Sequence, residues 1–442
     1  LPALAAGASL TVGARTTERH ARGGYPAMSS QTFDLTRLFG TGLPDPLPRF
    51  AGFPQFNFIG GHNDPEHIPI EGLIEAAASV LRREGSSLAM YNLGRGPQGY
   101  PGLRDFLADK LKRHRGIACG RDDIMITTGS GQGIDMVSRL LVDPGETVIL
   151  EECCYAGAIN RFKRIGARIV GAKLDEHGIR IDALTTLLDE LKAKGVTPKC
   201  IYTIPTIQNP TGSILPLERR RALLALARER GIAIFEDECY ADLLWVRSAP
   251  PALYALAPDQ VVHIGSFSKS LAPALRLGYC VASWPVLSRL LAMKTDSGTG
   301  ALDQMIVAEY FTRSFDAHVE HLSTVLREKL DTMVEAVERE FGTSVEMWKP
   351  EGGIFLWLKL PDQVDVTKLV KPAAEAGIAF NPGPEWVCDP ATAKSSMRLC
   401  FALPSKQQIK DGVAALARVC FEQTGIPPRS ANVVNVPEKQ VS

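Results

Sequence analysis

From Ile124 onward the sequence alternates short apolar runs with amphipathic stretches, and few architectures satisfy that pattern. Ile124-Met125-Ile126-Thr127-Thr128 reads as a buried strand, and Gln132 to Leu141 as a helix stopped by Asp143-Pro144-Gly145. Thr147 to Leu150 is a second strand and Arg168 to Gly171 a third, ahead of a helix from Asp182 to Lys194. Cys200 to Ile204 is a fourth, followed by a helix from Leu217 to Arg230 that Gly231 closes. Ile232 to Phe235 is a fifth and Val261 to Ile264 a sixth. Strands that alternate with helices of about ten to fifteen residues indicate βαβ units and a mainly parallel sheet, hence an α/β fold. Ligands of such sheets bind beyond the carboxyl ends of the strands. Polar residues collect at those ends: Ser130 after the first, Asn209 after the fourth, Asp237 after the fifth, Ser266 and Lys269 after the sixth.

Beyond the sheet, Phe315 to Phe341 reads as one long helix with the apolar stripe Leu322, Val325, Leu326, Leu330, Val334 and Val337. The pattern then changes to strands at Gly353 to Leu358 and Met397 to Phe401, with helices at Val366 to Glu375 and Lys406 to Phe421. That describes a smaller α+β domain. The expected division is a leader or non-native extension (1–28), a segment packing on the small domain (29–90), a large domain (91–314), a small domain (315–424) and a flexible tail (425–442). The leader is rich in Ala, Gly, Thr and Arg and has no core-like period. Upstream or vector sequence, a transit peptide and a disordered arm all fit it. The expected compartment is the cytoplasm, with organellar import left open by Arg15, Arg19 and Arg22.

Charge is balanced, 49 basic against 49 acidic residues, so nothing points to nucleic acid or an anionic membrane. No apolar run reaches the ~20 residues that span a bilayer. Nine cysteines without a C-x-x-C pair argue against a disulfide framework or a zinc site. His318 and His321 read as a solvated helix face.

Gly265-Ser266-Phe267-Ser268-Lys269 is followed seven residues later by Arg276. A lysine can form a Schiff base with an aldehyde, while hydroxyls and a guanidinium hold a phosphate; pyridoxal phosphate (PLP) carries both groups. The plain alternative is a Ser-rich surface turn with two solvated cations. Thr128-Gly129-Ser130-Gly131-Gln132 leaves a strand and opens a helix, where free N–H groups and the dipole favour a phosphate. Ser130 as an ordinary N-cap is the alternative there. Asp237 belongs to three successive acids, Glu236 to Glu238, which are costly behind a buried strand unless a cation meets one of them. A carboxylate against a pyridine nitrogen keeps it protonated and the ring an electron sink. The Asn209-Pro210-Thr211-Gly212 turn can aim an amide at the cofactor's phenolic oxygen, a role Tyr240 can share. Tyr155 is placed to stack on the ring; ordinary packing is the alternative for both tyrosines. Lys269, once freed, would act as the proton-transfer base, which requires a lowered pKa. Arg398 is a lone arginine in an apolar strand and needs a carboxylate partner, from the protein or from a substrate.

Together these residues resemble the class I/II aminotransferases, PLP enzymes of fold type I, over about Phe58 to Phe421. The resemblance implies a large domain with a mainly parallel seven-stranded sheet plus a small α+β domain. It implies Lys269 as the Schiff-base lysine, Asp237 at the pyridine nitrogen, Asn209 and Tyr240 at the phenolic oxygen, and Tyr155 on the ring. Ser130, Gly131, Ser266 and Arg276 would hold the phosphate, with Gln132 and Ser268 in the same cofactor site. Arg398, with Asn209 and Gly61, would meet the substrate. Glu351-Gly352-Gly353-Ile354-Phe355-Leu356-Trp357 is similar to the family's glycine-pair strand. Phe58-Ile59-Gly60-Gly61-His62-Asn63-Asp64-Pro65 is similar to the 2-aminoadipate and kynurenine aminotransferase group. Family members are homodimers that share a tyrosine across the interface, and Tyr91 matches it. Two features depart: Pro273-Ala274 stands where Pro-Gly is usual, and Tyr91 to Leu103 is longer than usual. The resemblance implies an aminotransferase acting on an L-amino acid and a 2-oxo acid. A PLP oxidase, decarboxylase or lyase, and a regulator's effector domain, are the rival readings.

Overall fold

The computed structural model describes residues 33–427 except 45, 48, 51 and 246–248. The expected leader, 1–28, lies outside the described residues, as does the expected tail beyond residue 427. The chain divides after Gly52. The described part of the first unit holds one 3-10 turn, Leu35–Leu38, where the Asp34 carboxylate accepts from Thr36 N at 3.0 Å.

The second unit is built on a seven-stranded sheet. Its spatial order is Ile124–Thr128, Leu277–Val281, Val261–Ser266, Ala233–Asp237, Cys200–Thr203, Thr147–Glu151 and Arg168–Ala172. All neighbours are parallel except Leu277–Val281, which is antiparallel to both of its partners. Strand alternation sorts the side chains into two cores. Ile124, Ile126, Ile149, Ile201 and Ile234 face one, with the helices Pro101–Arg115 and Leu217–Glu229. Met125, Val148, Leu150, Tyr202 and Phe235 face the other, with Gly129–Leu141 and Ala156–Arg164. The sheet is therefore covered on both sides, and its strand ends open at one edge.

Several elements differ from what the sequence predicts. Leu277–Val281 has no crossover helix before it, so the alternation that marks its neighbours is absent. Two strands continue past their apolar runs because pairing continues: Asp237 pairs with Ile264, and Ser266 with Gly278. The helix after the first strand begins at Gly129 and not at Gln132.

A second, antiparallel sheet orders Glu346–Met347, Phe355–Lys359, Ser396–Cys400 and Asn381–Pro382. Met397 and Leu399 enter a third core with Leu356 and Leu358. Alternation sends Arg398 to the opposite face, paired in register with Trp357 and Asn381. The Ala301–Phe341 helix joins the two assemblies, packing Met305, Phe311 and Phe315 into the first core and Leu322, Leu330 and Val337 into the third. It starts fourteen residues before the expected Phe315, and one buried stripe runs along it from the first core into the third. His318 lies on that stripe between Phe315 and Leu322 and is buried, not on a solvated face as expected. Its Nε2 is 2.7 Å from Ser270 O and its Nδ1 3.2 Å from Tyr310 Oη. Phe56–Asn57 pairs in parallel with Ile378–Ala379.

Candidate active site

The opening at the strand ends is framed first by the Gly129–Leu141 helix. Its N-cap, Thr128, makes no side-chain cap hydrogen bond, and Ser130 lies inside the first turn, so the ordinary N-cap alternative does not hold. First-turn N–H groups have no partner within their own helix, and they carry the positive end of its dipole. Arg276 closes against this turn: a Cβ on Gly129 would touch its Nη2. Its own backbone is left-handed, φ +54°, and Nη1 donates to Pro273 O at 3.1 Å. Ser266 Oγ accepts from Ser268 N at 3.1 Å, which turns the chain sharply out of its strand.

That turn delivers Lys269. Asn63 Nδ2 donates to Leu271 O at 2.9 Å and His318 meets Ser270 O, so the segment is held from two sides. Lys269 Nζ donates to Gly61 O at 2.7 Å. A Cβ on Gly61 would stand 2.5 Å from that nitrogen, so the bare glycine lets the amine lie this close to the backbone. Burial holds the ammonium below its ordinary pKa, and the charges of Arg398 and Arg276 push the same way.

The three consecutive acids are satisfied in different ways. Glu236 pairs with His263 at 2.8 Å and accepts the N–H groups of Leu253 and Tyr254. Glu238 pairs with Arg115 at 2.8 Å and Arg220 at 3.5 Å. Asp237 accepts only from neutral donors, Tyr202 Oη at 2.6 Å and Cys239 N at 3.1 Å. It is the one of the three without a cation among the described residues. Burial raises its pKa against the pull of those bonds.

Opposite stands Arg398, 2% exposed. Its hydrogen bonds go to neutral oxygens: Asn209 Oδ1 at 3.0 Å, Gly60 O at 3.1 Å and Asn381 Oδ1 at 2.7 Å. Its Nε has no partner. The Trp386 and Phe355 rings lie 3.5 and 3.8 Å from its guanidinium carbon. Burial draws its pKa down to about 10. No salt bridge meets it among the described residues, and it lines the cavity described below. Asn209 Nδ2 reaches toward Tyr240 Oη at 3.4 Å. Burial keeps the Tyr240 and Tyr155 phenols protonated.

One cavity of about 320 Å³ is lined by Gly61, Ser130, Gly131, Tyr155, Asn209, Asp237, Tyr240, Ser266, Ser268, Lys269, Arg276 and Arg398. Gln132 is not among its lining residues. Its Oε1 accepts from Thr128 N at 2.8 Å and its Nε2 donates to Asp296 at 2.7 Å, as a residue bracing the helix start does. Tyr91 is 85% exposed on a short turn and also stands outside the lining. Sequence reasoning missed Arg161, Cys239, Phe355, Asn381 and Trp386. Arg161 sits in a basic helix end that reads as solvent-facing. Asn381 lies in a two-residue strand and Trp386 in a four-residue 3-10 turn, both too short for a periodicity to read.

A sheet of this topology, with an amine, an uncationed carboxylate and two anion-binding ends around one cavity, defines an enzyme of the PLP-dependent fold type I. Residues 60–416 match the family model described as aminotransferase class I and II, and the chain belongs to that family. It is a PLP-dependent aminotransferase, moving an amino group between an amino acid and a 2-oxo acid. The 2-aminoadipate transaminase of Thermus thermophilus is 35% identical over 368 residues, 82% of this chain and 89% of that protein. The crystal structure of α-aminoadipate aminotransferase from Thermus thermophilus, complexed with N-(5'-phosphopyridoxyl)-L-leucine, is similar with a TM-score of 0.76. The two are 34% identical, covering 83% of this chain and 92% of that one. Pyrococcus horikoshii kynurenine aminotransferase has a TM-score of 0.78 at 30% identity, covering 84% and 91%.

Proposed function

We propose that this cavity is where the transamination takes place, with Lys269 as the covalent anchor and proton carrier. The observation that carries this is the set of unmatched partners. Among the described residues Lys269 and Arg398 meet no carboxylate and Asp237 meets no cation, although Asp237 and Arg398 are buried and Lys269 is largely enclosed. These groups fit PLP and an amino acid, which bring an aldehyde, a basic ring nitrogen and a carboxylate. When bound, PLP supplies a carbonyl that condenses with amines and a ring that accepts the electron pair left at the substrate α-carbon.

The chain's own residues do the rest. Asp237 holds a proton at the ring nitrogen, and its neutral neighbours leave its charge free for that purpose. Asn209 and Tyr240 donate to the phenolic oxygen, and Tyr155 covers the ring. Ser130, Gly131, Ser266, Ser268 and Arg276 hold the phosphate, while Gln132 fixes the helix start. Arg398 binds the α-carboxylate bidentately with Asn209 and orients the Cα–H toward Lys269. Lys269, with a lowered pKa, takes that proton and returns it at the carbon that was the cofactor's aldehyde.

The names of the similar enzymes support 2-aminoadipate-like and aromatic amino donors as the first substrates to try. The functional unit in this reading is a homodimer. Supporting it, Ile70, Ile74, Leu88, Met90 and Tyr91 are all exposed, and large apolar side chains in the open suit burial against a second copy. A large domain (91–314) and a small one (315–424) fit the change of core along the long helix. Nine free thiols suit a reducing compartment, and the cytoplasm is our reading. Among the described residues no helix is long and apolar enough to cross a membrane.

Lys269→Ala tests the assignment. Transamination is expected to fall by about 10⁴-fold, and borohydride should no longer link cofactor to chain, while the variant stays folded. A lysyl adduct retained in that variant sinks the proposal.

A further inference from the structure

The phosphate end of the cavity holds a second guanidinium. Arg161 lies on the Ala156–Arg164 helix, just after Tyr155, and lines the cavity with Arg276. Its Nη1 donates to Gly157 O at 2.8 Å, which aims the rest of the guanidinium at the Gly129–Leu141 helix start. There its Nη2 lies 2.7 Å from where a Cβ on Gly131 would stand. Arg276 meets Gly129 of the same turn in the corresponding way. The two arginines therefore flank Gly129-Ser130-Gly131 from different elements, and the glycines leave room for both. Neither makes an ion pair with a carboxylate among the described residues.

Charge decides what they are for. Arg161, Lys269, Arg276 and Arg398 line the cavity against the single carboxylate of Asp237. A phosphate monoester carries a charge of about −1.5 to −2 near neutral pH. A helix start offers roughly half a positive charge, so Arg276 and the helix together supply about 1.5 and fall short only of the fully ionised dianion. A second guanidinium closes the gap.

Resting on the reading of this cavity as the cofactor site, we propose that Arg161 binds the phosphate of PLP together with Arg276. The test compares apoenzyme binding of PLP with that of pyridoxal, which lacks the phosphate, by quenching of intrinsic fluorescence. Arg161→Ala should weaken PLP by about tenfold or more and leave pyridoxal within about twofold. Arg161→Lys should fall between. Equal losses for both ligands, or no loss for PLP, overturn the proposal. So does unchanged PLP affinity with a raised KM confined to dicarboxylic amino donors, which would assign Arg161 to the substrate. Arg276→Ala separates the two levels of argument. If it discriminates PLP from pyridoxal and Arg161→Ala does not, only this inference fails. If neither variant discriminates, the cofactor reading of the cavity fails with it.

Discussion

The two anion-binding ends of the cavity are made from different materials. At the large sheet stand an uncapped helix start, serines leaving a strand, and Arg276, whose side chain is reachable by solvent. At the small sheet recognition rests on one buried side chain, Arg398, clamped between the Trp386 and Phe355 rings and held by two asparagines and a carbonyl. A helix-start cup stays formed whichever ligand is present and suits a resident group. A buried guanidinium without a counter-ion gains most when a carboxylate arrives, which suits an exchanging substrate.

The largest effect should come from the small-sheet end. Arg398→Ala leaves three oxygens without their donor and is expected to lower kcat/KM by about 10²- to 10³-fold, mainly through KM. Arg398→Lys should recover little, since an ammonium cannot fill a planar site stacked between rings. Michaelis constants over a panel of amino donors check this, and an unchanged KM would refute the role.

Glu151 lies buried on the large sheet. It accepts from Thr203 Oγ1 at 2.6 Å and Gln208 Nε2 at 2.9 Å, and so holds the turn carrying Asn209. Burial lifts its pKa from 4.5 to about 7. The folded state then holds a proton that the unfolded state has lost, so stability should fall as pH rises between those values. The expected loss is ~3 kcal/mol at most. Urea midpoints from about pH 5 to 8 should slope down in the native chain and lie flatter in Glu151→Gln; matching slopes would remove the argument.

Salt should separate the ends with the smallest effect. The solvent-reachable phosphate end is screened more than the buried one. Raising ionic strength from about 0.05 to 0.5 M should weaken PLP several-fold and shift the KM for an amino donor less. The reverse ranking would undo the comparison.

What could be read in advance followed from local rules. Lys269 and Asp237 stood out because a cation-bearing turn and an acid run each followed a short apolar strand. Arg398 stood out because a charge inside an apolar strand needs a reason. The Leu277–Val281 strand escaped because an antiparallel return needs no helix. Arg161 escaped because its helix end looks like any solvated basic surface.

The sequence by itself determined the strands, the parallel sheet and the residue types waiting at its edge, since periodicity and turn chemistry act within a few residues. Only the tertiary structure decided which charges go unanswered. Glu236 and Glu238 met His263 and Arg115 from distant segments, whereas Asp237 and Arg398 met neutral groups. Whether a buried charge is paired depends on what packs against it from elsewhere in the chain. At this site it is the unpaired ones that point to the ligand.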